Sequence, residues 1–121
     1  ISSYYSFSYY RNTPALTLEE ACRRPIFQLV DALEVANGGA TRDEFEFTLK
    51  ASQEMGISGT GGSDAHSAYG VGCCFTHFEG EINTEEDLVR ELKNGNFRGV
   101  DRRKDMSRLI EELEQDRESC L

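Results

Sequence analysis

The chain has 121 residues, 38% hydrophobic and 29% charged, with 22 acidic against 13 basic side chains and a net charge of −9. That length holds one domain with a modest core, and the composition is that of a folded soluble domain rather than a disordered tail. The negative balance disfavours non-specific nucleic-acid binding and anionic membrane surfaces, and no apolar run approaches the ~20 residues that span a bilayer. An anionic small substrate stays open, because a bound cation can reverse the sign of the field locally.

Ile1-Ser2-Ser3-Tyr4-Tyr5 lacks the basic start and apolar stretch of a signal peptide. It also lacks an initiator Met, so a processed form or an excised fragment is expected. Residues 1–16, rich in Tyr and Ser, read as irregular with one short strand. Thr17 and Glu20 stand in capping-box spacing and open a short helix through about Arg23. Pro25 interrupts it or starts another turn. Val30 to Ala36 reads as a buried strand ending at the turn signal Asn37-Gly38-Gly39.

A second capping box, Thr41 with Glu44, starts a helix whose apolar stripe is Phe45, Thr48, Leu49, Ser52 and Met55, with Gly56 in the C-terminal cap position. Ile57 to Thr60 follows as a short strand, loosened by the glycines that lead into Ser63-Asp64-Ala65-His66. Cys73 to Phe78 is a further extended run. Asn83-Thr84, with Asp87, caps a third helix carrying Leu88, Val89 and Leu92 and ending at Gly95. Phe97 to Val100 reads as a last strand, and a helix from about Asp101 carries Met106, Leu109, Ile110 and Leu113 on one side. Strands alternating with helices argue for an α/β fold with a largely parallel sheet or barrel. In such folds chemistry sits where strands end and loops begin.

The four cysteines, Cys22, Cys73, Cys74 and Cys120, form no CxxC pair. The neighbours Cys73 and Cys74 would point to opposite faces of a strand, a poor start for a tetrahedral zinc site. Buried reduced thiols are expected, and with no secretory signal a cytoplasmic location.

The strongest chemical candidate is Gly61-Gly62-Ser63-Asp64-Ala65-His66. A carboxylate and an imidazole two residues apart share one side of an extended chain, so Asp64 and His66 can offer oxygen and nitrogen to one cation. The preceding glycines let the backbone bend and other groups approach. The plainer alternative is a turn in which Asp64 caps the backbone and His66 is exposed. His77, on the extended run, reads as a packed or half-exposed strand residue. Glu34 and Asn37 lie near the end of the first strand. Glu34 could orient a ligand or water, and Asn37 and Ser63 could hydrogen-bond a phosphate oxygen, against plainer roles as a solvated acid and turn residues.

From Pro25 to Val100 the chain resembles the C-terminal part of the PHP-domain proteins, the polymerase and histidinol phosphatase family. The matching features are Val30-Asp31-Ala32-Leu33-Glu34-Val35 with Asn37-Gly38, the helix after it, Gly61-Gly62-Ser63-Asp64-Ala65-His66, Val71-Gly72, Thr76-x-Phe78 and Leu92-Lys93-Asn94-Gly95. The resemblance implies one partial domain over 1–121, strongest over 25–100, with 101–121 as a C-terminal helix. It implies the C-terminal portion of a distorted (β/α)7 barrel with two or three divalent ions (Mn, Zn, Fe or Mg) at its strand ends, acting on a small phosphorylated substrate. The family's final Asp-x-His motif falls on Asp64 and His66, and the metals would polarise phosphoryl oxygens and activate water.

The family's further ligands, including an early His-x-His, have no counterpart among the two histidines here, His66 and His77. The isolated chain is therefore expected to be inactive or nearly so, with the phosphoesterase being the complete protein. The alternative is a non-catalytic binding or assembly module derived from such a barrel. An incomplete barrel exposes sheet edges, which invites self-association.

Overall fold

The computed structural model describes residues 17–105 together with 111, 114 and 115. Three helices start with the same device. Helix α1 (Leu18–Cys22) is capped by Thr17, α2 (Arg42–Met55) by Thr41 and α3 (Glu85–Asn94) by Thr84. In each, the threonine hydroxyl accepts from the N–H three residues on, and the acid there (Glu20, Glu44 or Asp87) accepts from the threonine N–H. A threonine cap of this kind is worth about 1 kcal/mol. Helices α2 and α3 end on Gly56 and Gly95 in left-handed conformation, with φ of 65° and 69°, where a Cβ would be penalised.

The strands lie close to their expected places, with shifted ends. Strand β1 is Leu33–Asn37, β2 Gly59–Gly62, β3 Cys74–Phe78 and β4 Phe97–Asp101, with short 3-10 turns at Pro25–Gln28 and Ala68–Gly70. The glycines expected to loosen the second strand are the strand itself. Ile57 is drawn off to close α2, its N–H donating to the Ser52 carbonyl, and it packs against the core. The core cluster is Leu33, Val35, Ala36, Cys73 and Cys74, covered by Phe27, Phe45, Leu49, Met55 and Ile57. Phe45, Thr48, Leu49, Ser52 and Met55 form the inward side of α2 as the periodicity indicated.

The chain is mixed α/β, and a largely parallel sheet is not what forms among the described residues. β1 and β2 pair in parallel across α2, whereas β3 and β4 pair antiparallel in a separate two-stranded sheet. The intervening α3 made this connection look like a crossover. It leaves and returns at one end of the pair, closed by Glu79 N–H donating to the Asn96 carbonyl at 3.0 Å. β3–β4 is thus a hairpin whose connection contains a whole helix. Glu91, the buried residue of α3, presses its carboxylate against Gly80 at the start of that excursion.

The two pairs meet backbone to backbone. A Cβ on Gly61 would lie 2.3 Å from the Phe75 carbonyl oxygen, and one on Gly99 2.4 Å from that of Thr60. Only glycine permits such an approach. The Thr76 hydroxyl spans the same junction, accepting from Gly61 N–H and donating to its carbonyl, each at 2.9 Å.

Residues 103–105, 111, 114 and 115 are helical, so the last helix starts just beyond the expected Asp101, which closes β4. Its stripe of Met106, Leu109, Ile110 and Leu113 lies outside the described residues, as do residues 1–16 and Cys120. No helix among the described residues is long and apolar enough to cross a membrane.

Candidate functional site

Strand β2 runs straight into Ser63, Asp64, Ala65 and His66. Asp64 does not continue the extended chain. Its φ is 47°, the one positive value among described residues other than glycine. Aspartate tolerates this region better than most residues, at a cost of about 1 kcal/mol. The simple alternation expected to align Asp64 with His66 is therefore broken at Asp64, and a turn replaces it. In that turn the Asp64 carboxylate comes against the Asn37–Ala40 loop, where a Cβ on Gly39 would sit 2.9 Å from Oδ2.

The same turn brings the Asp64 carbonyl within 2.8 Å of His66 Nδ1. A carbonyl can only accept, so in the neutral ring Nδ1 carries the proton and Nε2 keeps its lone pair. Both side chains are exposed. The turn and the exposed histidine of the plainer alternative are what forms, with the Asp64 carbonyl rather than its carboxylate making the contact, and the imidazole is set in the tautomer that leaves Nε2 free to bind a metal.

Glu34 and Asn37 come together through an irregularity. β1 pairs Glu34 with Thr60 and then Ala36 with Gly61, leaving Val35 as an extra residue. On a regular strand, residues three apart face opposite ways. The bulge resets the alternation, and Asn37 Nδ2 donates to Glu34 Oε1 at 2.7 Å. Asn37 Oδ1 accepts from Gly39 N–H at 2.8 Å. The buried Asn37 amide thus ties the strand to the loop against Asp64, and the Glu34 carboxylate lies over Gly62. The Ser63 carbonyl accepts from Cys73 Sγ at 3.7 Å. His77 is exposed on β3, opposite Arg98.

Beneath these loops lies a network that sequence reasoning missed. Asp101, at the end of β4, accepts from Arg103 Nε at 2.9 Å and from its second guanidinium nitrogen at 2.6 Å. The remaining guanidinium nitrogen donates to the Ala40 carbonyl. Cys74 Sγ donates to Asp101 Oδ1 at 3.6 Å. The Arg103 hydrogen bond holds the Asp101 carboxyl at about 2, below its ordinary 3.8. Burial, then the Asp101 charge, pushes the Cys74 thiol up to about 12. In sequence, Asp101-Arg102-Arg103 looks like the start of a solvated helix, and only the matching of Asp101 with Arg103 at two-residue spacing hinted otherwise.

Cys73 and Cys74 are buried free thiols, and Cys22 is a half-buried one. Asp64 and His66 are donors of the right chemical type for a divalent cation. Among the described residues, however, no group of three or more His, Cys, Asp or Glu side chains is placed to hold one. Two donors by themselves fall short of a metal site.

Residues 46–97 match the PHP-associated family, PHP_C. The matched segment covers most of α2, β2, the Asp64–His66 turn, β3 and α3, and the match supports the resemblance to a PHP-domain C-terminal part drawn from the motifs. The matched range contains Ser63, Asp64 and His66 and leaves Glu34 and Asn37 upstream of it. No curated protein and no solved structure matches the chain.

Proposed function

We propose that this chain supplies Asp64 and His66 as the last two ligands of a metal-dependent phosphoesterase site of the PHP type, completed by ligands elsewhere in the whole protein. The observation that carries the reading is the Nδ1–Asp64 carbonyl contact, which presets His66 to offer Nε2 beside an exposed carboxylate. The parallel β1–α2–β2 unit supports placing the chain in a (β/α)7 barrel, with the turn at a strand's C-terminal end. A bound divalent ion (Mn, Zn, Fe or Mg) would supply Lewis-acid polarisation of a phosphate ester.

Within this reading the chain's own residues bind and orient. His66 is held by its backbone contact, and Asn37 keeps the Asn37–Ala40 loop against Asp64 while Glu34 anchors Asn37. Ser63 and the remaining capacity of the Asn37 amide are the candidates for meeting a phosphate oxygen of a small substrate in a cytoplasmic setting. The whole protein should carry metal by elemental analysis and hydrolyse an aryl phosphate. Replacing Asp64 and His66 together with Ala should remove at least one metal equivalent. Undiminished metal content and activity in that double variant would sink the assignment.

The incomplete ligand group favours one other reading, an assembly module that pairs through its strand edges. Metal-free whole protein that self-associates in light scattering would support it over the first.

A further inference from the structure

We propose that Arg103 is a positioning residue for the Asp64–His66 turn, acting from the far end of the chain through the Asn37–Ala40 loop. This rests on the reading of Asp64 and His66 as metal ligands. Asp64 and His66 are exposed, and Asp64 sits in a disfavoured backbone region. Local packing alone gives such a turn little to hold it. Support has to arrive from the segments that touch it.

One such segment is the loop at Gly39, against the Asp64 carboxylate. That loop closes on itself through Ala40 N–H donating to the Asn37 carbonyl at 3.0 Å. Its far end, the Ala40 carbonyl, is gripped by Arg103 from 63 residues away in sequence. The guanidinium is held in turn by both oxygens of Asp101, so its reach to Ala40 is fixed in direction as well as length. Asp101 faces Cys74 across the β3–β4 register. The Arg102 N–H donates to the neighbouring Cys73 carbonyl at 2.7 Å, and Cys73 Sγ donates to the Ser63 carbonyl. The end of β4 thus reaches both flanks of the turn, the loop at Gly39 through the Arg103 side chain and the backbone at Ser63 through the Arg102 backbone and Cys73. Lysine cannot reproduce the Arg103 brace, because a single ammonium cannot engage both Asp101 oxygens and the Ala40 carbonyl with a planar fork.

The test reads the turn directly and needs no metal. In the full chain, ¹⁵N NMR of the imidazoles, at a pH where the rings are neutral, should find His66 mainly protonated at Nδ1. Arg103→Met should shift the Nε2–H to Nδ1–H ratio of His66 several-fold toward the Nε2–H form preferred by a solvent-exposed imidazole, with Arg103→Lys restoring it only in part. His77, exposed on β3, is the internal control and should not change. If Arg103→Met folds cooperatively and leaves the His66 tautomer as it was, the proposal is overturned. Should that variant fail to fold, Asp101→Asn is the second test: its amide nitrogen cannot accept, so one of the two contacts that aim the guanidinium at Ala40 is lost. A folded Asp101→Asn protein with an unchanged His66 tautomer overturns the proposal equally. A shifted tautomer in a whole protein that binds no metal would uphold the brace and reject the ligand reading.

Discussion

In the β1–β2 pair, β1 is buried along nearly its whole length, while β2 (Gly59-Thr60-Gly61-Gly62) brings one side chain larger than hydrogen. β3 and β4 instead match five residues against five, with the Phe78 and Phe97 rings 5.7 Å apart at one end. The hairpin carries its own cross-strand side-chain contacts. β2 has almost none and borrows its order from the backbones laid on it. The strand that delivers Asp64 and His66 is therefore positioned by its neighbours, and side-chain stabilisation has given way to close approach.

The sharpest way to break this comparison is Gly61→Ala. The new methyl meets the Phe75 carbonyl, which cannot swing aside as a side chain could. A loss of about 3 kcal/mol or more is expected in denaturant unfolding. Gly56→Ala is the reference, since nothing lies within 4 Å of its Cβ and only the left-handed φ is penalised, at about 1 kcal/mol. Equal effects of the two would show that β2 does not depend on the hairpin's backbone.

Next in size is the acid response of the hairpin's end. The folded-state pKa of Asp101 is depressed to about 2 from 3.8, so the native state binds that proton less readily than the unfolded chain. The stability so gained is present above the ordinary carboxylate range and is lost as pH falls through about 2; it amounts to about 2 kcal/mol. Asp101→Asn should remove that share of the acid dependence, measured as stability against pH from 5 down to 2. An unchanged slope would mean that the Arg103 contact does not hold in solution.

Thr76→Val should cost roughly 1–2 kcal/mol, because it takes both hydrogen bonds from Gly61 at the junction. Thr76→Ser should recover most of this. Valine behaving like wild type would move the weight of the junction from the hydroxyl to the close backbone contact. The smallest effect expected has the opposite sign. Asp64→Gly relieves the residue at φ 47° and should raise stability by about 0.5–1 kcal/mol, while weakening metal retention by the whole protein. A loss of stability would show that the Asp64 carboxylate is held by the loop more strongly than its backbone is strained.

The helices were legible because their signals are local. Thr17, Thr41 and Thr84 each stand three residues before an acid, and Gly56 and Gly95 sit at the ends. Strand pairing is not local. The hairpin was hidden because α3 fills its connection, and the bulge at Val35 leaves no mark in the residue types. Asp64 and His66 stood out through their chemistry, and a turn there was the plainer alternative, but the left-handed Asp64 that orients the pair was not legible, since alternation assumes an extended backbone. Asn37 looked like a turn residue, and its role as a tie between Glu34 and Gly39 depends on that unseen bulge. The Arg103 grip on Ala40 joins residues 63 apart, a distance over which sequence spacing carries no information.

The Glu79–Asn96 bond that closes the hairpin around α3 also marks where this chain can change length. Everything between those residues leaves the pair and comes back to the same place, so strand register is settled before the helix is reached. Loop-closure entropy rises only slowly with length, and a longer or shorter excursion would leave the junction at Gly61 and the Asp64–His66 turn in place. Related chains could carry different helices, or a further lobe, on this hairpin and still present the same two donors at the end of β2.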